Sequence, residues 1–317
     1  MNQTPLICAA VALFGALLPA CSSNKPQPEK YSAEAIATDP DVPIGSVVNR
    51  LDTLLLQWNQ ALVGRPDTRN LSFRHNLVLE IAKITKQRFE ELKLELESGA
   101  AVRNRAVIAA AIGFTKEPTA LNPLISALND PDPLVRENAL IGIAQLADIN
   151  TPVDLVADRL RPEESVQSQV NAGVALMRLA DAGAKMDPIL PNLRLALRNP
   201  NDAVKTHAAY ALGSAKDTHA ALELMGLVKN PGSRALVAAA AANALGKIGE
   251  PAAAPVLIEA LGSPEMAVRE EARRALKRIA GDDLGAEAGP WRRWLQRSES
   301  RPPESPASRA AGDTSAR

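Results

Sequence analysis

The sequence predicts an all-α fold: an α-solenoid, a superhelical stack of about six two-helix units with capping helices at its ends. Two observations predict it. Hydrophobic residues make up 46% of 317 residues while aromatics make up only 3%, and the apolar content is mostly Ala, Leu, Val and Ile. That mixture suits close-packed helices better than sheets. The second observation is a recurring hydrophobic–basic pair: Val102-Arg103, Val135-Arg136, Val204-Lys205 and Val268-Arg269, with weaker copies at Val166-Gln167 and Val237-Ala238. Successive anchors lie about 31 to 38 residues apart. A leucine and a turn precede several of them (ALNDPDPLVR, ALRNPNDAVK, ALGSPEMAVR), and a small-residue helix follows (ENALIGIAQLAD, THAAYALGSAKD, EEARRALKRIAG).

The first element is an apolar run, PLICAAVALFGALLPA at residues 5–20. At sixteen residues it is shorter than the roughly 20 a membrane-spanning helix needs. It fits the apolar core of an export signal. The segment Leu18-Pro19-Ala20-Cys21 resembles a bacterial lipobox, which implies cleavage before Cys21 and lipid on that cysteine. The only other cysteine is Cys8, which would leave with the signal. Residues 21–43 are polar and Pro-rich and are expected to form a flexible tether. Ser22 follows the cysteine, which by the same resemblance implies the outer membrane, facing the periplasm. An inner-membrane signal anchor or simple secretion is the alternative.

A capping helix and loop are expected at 44–71, then repeats over 72–281. Their boundaries are about 72–114, with a first helix running to Glu97, then 117–147, 151–181, 185–215, 217–249 and 250–281. The unit at 251–281 shows the logic. Val256, Leu257, Ala260 and Leu261 form one apolar face at helical spacing. Gly262-Ser263-Pro264 interrupts, with Ser263 able to cap the next helix. Val268, Ala272, Ala275, Leu276 and Ile279 line the second helix, and Gly281 closes it. Neither helix buries enough surface alone, so such units must stack. These motifs (PxLIxAL, a D/N-P turn, VR, then AAxALGxIG) resemble bacterial HEAT repeats of the kind also found in phycobilisome-lyase-like proteins. A Trp-containing cap follows at 282–297, with Trp291 and Trp294 over the open end of the last pair, and then a disordered tail at 298–317.

Lys plus Arg and Asp plus Glu each number 36. The basic excess that phosphate binding demands is missing overall, so no nucleic-acid partner is expected. The three histidines, His75, His207 and His219, lie in no HExxH or His-Glu pair, which departs from HEAT-repeat hydroxylases. GxxxxGK[ST], GxGxxG and GxSxG do not occur, and no cysteine pair offers a zinc site. The sequence therefore points to no catalytic residue, cofactor or metal.

Arg103, Arg136, Lys205 and Arg269 are expected to form a structural ladder, pairing with acids such as Asp132, Asp202 and Glu265 of neighbouring turns. At 100° per residue, positions near +2, +3, +6 and +10 from each anchor valine are expected to face away from the core. They supply the candidate partner-binding surface: Asn138, Gln145, His207, Tyr210, Asn243 and Arg274. The function expected is a non-catalytic protein–protein scaffold held at a bacterial envelope membrane by its lipid. A lyase-like HEAT-repeat enzyme or enzyme subunit is the alternative, and a nucleic-acid-binding solenoid the second.

Overall fold

The computed structural model describes residues 31–63, 68–230 and 232–299, and these hold helices and turns with no strand among them. The signal at 1–20, Cys21 and the tail from residue 300 lie outside the described residues. In chain order the helices are α1 (Ala33–Thr38), α2 (Ile44–Val63), α3 (Thr68–Gln87), α4 (Phe89–Ser98), α5 (Val102–Ile112), α6 (Leu121–Ala127), α7 (Pro133–Leu146), α8 (Val153–Ala157), α9 (Val166–Ala182), α10 (Leu190–Ala196), α11 (Asp202–Ser214), α12 (Ala221–Lys229), α13 (Ala235–Ile248), α14 (Ala254–Ala260), α15 (Met266–Ala280) and α16 (Ala288–Glu299). The α-solenoid of six helix pairs is present, running from α4–α5 to α14–α15.

Local chemistry sets the boundaries of the second helices. Asp132 caps α7 by accepting from Leu134 N at 2.9 Å, with Pro133 in the first turn. Asn201 caps α11 through Ala203 N at 2.8 Å, and Ser165 caps α9 through Ser168 N at 3.0 Å. These residue types satisfy the free amides of a first turn. Gly281 ends α15 at φ +86°, a left-handed geometry that glycine adopts without strain. Ser263 does not cap α15; its Oγ accepts from Glu265 N at 3.2 Å, one step before the helix begins.

The chain divides into two compact units, Met1–Ala220 and Ala221–Arg317. In the first unit the second helices α5, α7, α9 and α11 pack each on the next, with the first helices α4, α6, α8 and α10 against their own partners. In the second unit α13 packs on α15, α12 on α14, and α16 covers α14. Within each unit a second helix is thus covered by its own first helix and by the second helix or helices packed on it. Small residues let the backbones approach: a Cβ on Gly246 would lie 2.5 Å from Ala275 Cα. The stack is closed at one end by Trp291, fully buried, whose Nε1 donates to Gly285 O at 2.8 Å while Trp294 meets it edge-on at 6.1 Å.

Three expectations need correction. The tether does not reach residue 43, because α1 follows a Ser32 cap and Ile36, Ala37 and Val42 are buried. The single long helix to Glu97 is broken at Arg88, which leaves α3 and α4 as separate helices. Arg88 explains both corrections. Its side chain is only 3% exposed. Nη1 donates to Ile36 O at 3.2 Å and Asp39 O at 2.9 Å, Nη2 to Val42 O at 3.0 Å, and Glu91 takes Nε at 2.8 Å. A guanidinium has five N–H donors in a fixed fork, and Arg88 spends three of its bonds on the N-terminal arm and two on Glu91. Finally, Ser298 and Glu299, assigned to the tail, belong to α16.

Candidate interaction surface

Most of the expected surface residues lie inside. Asn138 is 2% exposed, His207 0%, Asn243 1% and Tyr210 8%, so these four are corrected from solvent-facing to interior positions. Only Gln145 and Arg274 keep appreciable exposure. The geometry of the stack is the reason. A helix with one buried stripe has an outer face, but α5, α9 and α13 are buried on nearly every side; in α13 every residue from Val237 to Gly246 is buried.

The interior positions have defined partners. Asn138 Nδ2 donates to Leu134 O at 2.8 Å. Asn243 Nδ2 donates to Glu271 at 2.9 Å, and Glu271 also accepts from Arg274 Nη1. Asn243 and Arg274 are therefore brought together through Glu271. His207 differs: neither ring nitrogen has a partner. Burial alone pushes its pKa down to about 4 from the usual 6.5.

The expected ladder is also corrected. Arg136 Nη1 donates to Asp130 O at 2.8 Å and Pro131 O at 2.9 Å, and Arg269 Nη1 to Ser263 O at 2.8 Å and Pro264 O at 2.7 Å. Lys205 pairs with Asp202 of its own helix at 2.6 Å. Helical side chains lean toward the N-terminus, so these cations close their own turns. Arg103 does leave its pair, reaching Asn49 at 2.9 Å and Asp52 on α2.

Other residues link the units. Arg105 holds Asp130 of the next turn with two bonds, Nε at 2.8 Å and Nη2 at 3.0 Å. The hydrogen bond keeps the Asp130 carboxyl below the ordinary carboxylate range and the guanidinium above its own. Asn171 donates to Glu137 O at 3.0 Å and Asn199 to Gln169 at 2.7 Å. Arg105 sits three residues after its anchor valine, the same offset as Asn138, His207 and Glu271. Comparing that column across repeats was the signal that could have found it.

Two hollows remain on the outside. A small apolar niche is lined by Leu55, Trp58, Asn59, Val107, Ala110, Asn138 and Ile141, and Asn59 Oδ1 there is buried without a partner. A shallow, open basic hollow is lined by Arg274, Lys277, Arg278 and Gly281. Among the described residues no group of three or more His, Cys, Asp or Glu could hold a metal ion, and no helix is long and apolar enough to cross a membrane.

A family model described as HEAT repeats matches residues 89–175 and 189–277. No curated protein matches the chain. Among solved structures, Kap121p bound to Pho4p is similar with a TM-score of 0.56 and 14% identity over 84% of this chain and 32% of that one. This chain thus spans about a third of that structure. The complex of CpcE and CpcF of phycocyanin lyase from Nostoc sp. PCC7120 is similar at 19% identity over 89% of this chain and 97% of that one, with a TM-score of 0.44. Human deoxyhypusine hydroxylase in complex with glycerol is similar at 18% identity over 79% and 96%, with a TM-score of 0.38. At 14% identity the likeness to Kap121p speaks for the fold alone.

Proposed function

Because the chain belongs to the HEAT-repeat family, we propose that it is a non-catalytic scaffold for protein partners, held by lipid on Cys21 at a bacterial envelope membrane. The observation that carries the scaffold reading is the tandem repetition itself. Second helices such as α7, α11 and α13 spend most of their surface on packing, so what the repeats offer outside is spread over several pairs. Recognition by such a chain adds modest contacts over several units rather than concentrating chemistry at one point. The similarity to Kap121p, itself described in complex with Pho4p, supports a body of this architecture built to hold other proteins. The lipobox-like Leu18-Pro19-Ala20-Cys21 supports the anchor, since two or more acyl chains give stable membrane attachment where one gives only marginal binding.

Photo-crosslinking in intact envelopes tests the scaffold. A crosslinker at Gln145, half-exposed on α7, should capture a defined protein. A purified chain that turns over a small substrate while capturing none would favour the lyase-like alternative. Mass spectrometry of the mature N-terminus tests the anchor separately: lipid on Cys21, absent in Cys21→Ser, is the expected result, and an intact Met1 would sink it.

A further inference from the structure

We infer that the hollow at the C-terminal end of α15 docks a carboxylate-rich segment of a protein partner; this rests on the scaffold reading above. The lining is Arg274, Lys277, Arg278 and Gly281, three cations and a residue without a side chain. Arg274 already faces carboxylates, with Glu271 on Nη1 and Glu270 3.5 Å from Nη2. Lys277 and Arg278 are exposed, and among the described residues neither forms an ion pair. The nearby Asp283 does feel Lys277, but both its oxygens are held by Arg273 at 2.9 and 3.0 Å.

A bland account places the two cations there to complement the helix dipole. The negative end of a helix carries roughly half an elementary charge. Two full charges in the last turn exceed that, and Asp282, next to Gly281, offsets part of the difference. An incoming carboxylate gives Lys277 and Arg278 the ion-pair partner that no described residue supplies, and Arg278 has the planar fork that fits it.

The same cations could meet anionic lipid. The hollow argues against it. Membrane-docking basic helices bury apolar side chains beside their cations, whereas this lining has none. Trp291, on the helix that follows, is turned inward and bonded to Gly285 O.

The test uses the full chain and a fluorescein-labelled octaglutamate peptide. Binding should weaken as salt rises, since exposed charges are screened. The double variant Lys277→Gln/Arg278→Gln should lose about tenfold in affinity, while Lys229→Gln, an exposed cation of the same unit, should change little. All of these side chains are exposed, so melting should be unaltered. Equal peptide binding by the double variant and the parent overturns the inference. So does binding through Lys277 and Arg278 to phosphatidylglycerol vesicles, or to inorganic phosphate, with none to the peptide. A partner crosslinked from Gln145 and held equally well by the double variant removes this site while leaving the scaffold standing.

Discussion

Acid should loosen the contact between α9 and α11, and His207 sets the range. Its ring is fully buried with no hydrogen-bond partner, and Gly173 of α9 packs so closely that an added Cβ would lie 3.0 Å from His207 Cβ. The folded pKa is about 4 against 6.5 unfolded, with burial the cause. A depressed histidine pKa means the unfolded chain takes up a proton first. Stability is therefore complete above about pH 7, falls as pH drops from 6.5 toward 4, and levels off below that. By linkage the loss is about 2 kcal/mol at pH 5 and about 3 kcal/mol once both forms are protonated. His207→Leu has similar bulk and no proton to gain. It should match or exceed the parent at neutral pH, because it also removes two unsatisfied polar atoms. Urea titrations followed by circular dichroism at pH 7.5, 6 and 5 read the difference. Carboxylates titrate in both proteins and cancel. If the two lose stability in parallel between pH 7.5 and 5, the ring is not buried unpaired and the reasoning fails.

Arg88→Met should free the N-terminal arm by removing three carbonyl bonds from a buried cation, at a cost of about 3 kcal/mol. Hydrogen exchange should then accelerate over residues 31–43 before the repeats respond. Leu276→Asp places an unpaired charge at a fully buried position of α15 and should cost 4 kcal/mol or so; an unchanged melting curve would mean the helix register is wrong. Gly246→Ala drives a methyl into Ala275 of the neighbouring helix and should lower stability by about 1–3 kcal/mol, which differential scanning calorimetry would detect.

The repeat was legible because the Val-basic anchors and Pro-containing turns mark the same point in each pair. Gly281 and Trp291 stand where their chemistry placed them, as a helix stop and an end cover. The interaction surface was not legible. Angular reasoning on a helical wheel assumes one buried stripe, and a stretch such as ALVAAAAANALGKI (235–248) shows no polar face from which a second orientation could be read. Asn138 and His207 fall outward by angle from their anchor valines; enclosure by neighbouring second helices places them inside. Arg88 was invisible for another reason. A lone arginine in a helical stretch reads as solvent-facing, and only the fold brings the carbonyls of Ile36, Asp39 and Val42 to it.

The arginine fork on those carbonyls also decides how load would enter the molecule. A pull applied ahead of residue 31 loads α1, where backbone oxygens gripped by one planar group share the strain with the buried side chains of Ile36 and Ala37. Such a grip works like a cleat: several bonds share the tension in shear instead of opening one after another. The repeats behind it are spared until it slips, so the rupture force of this end should follow the identity of a single side chain.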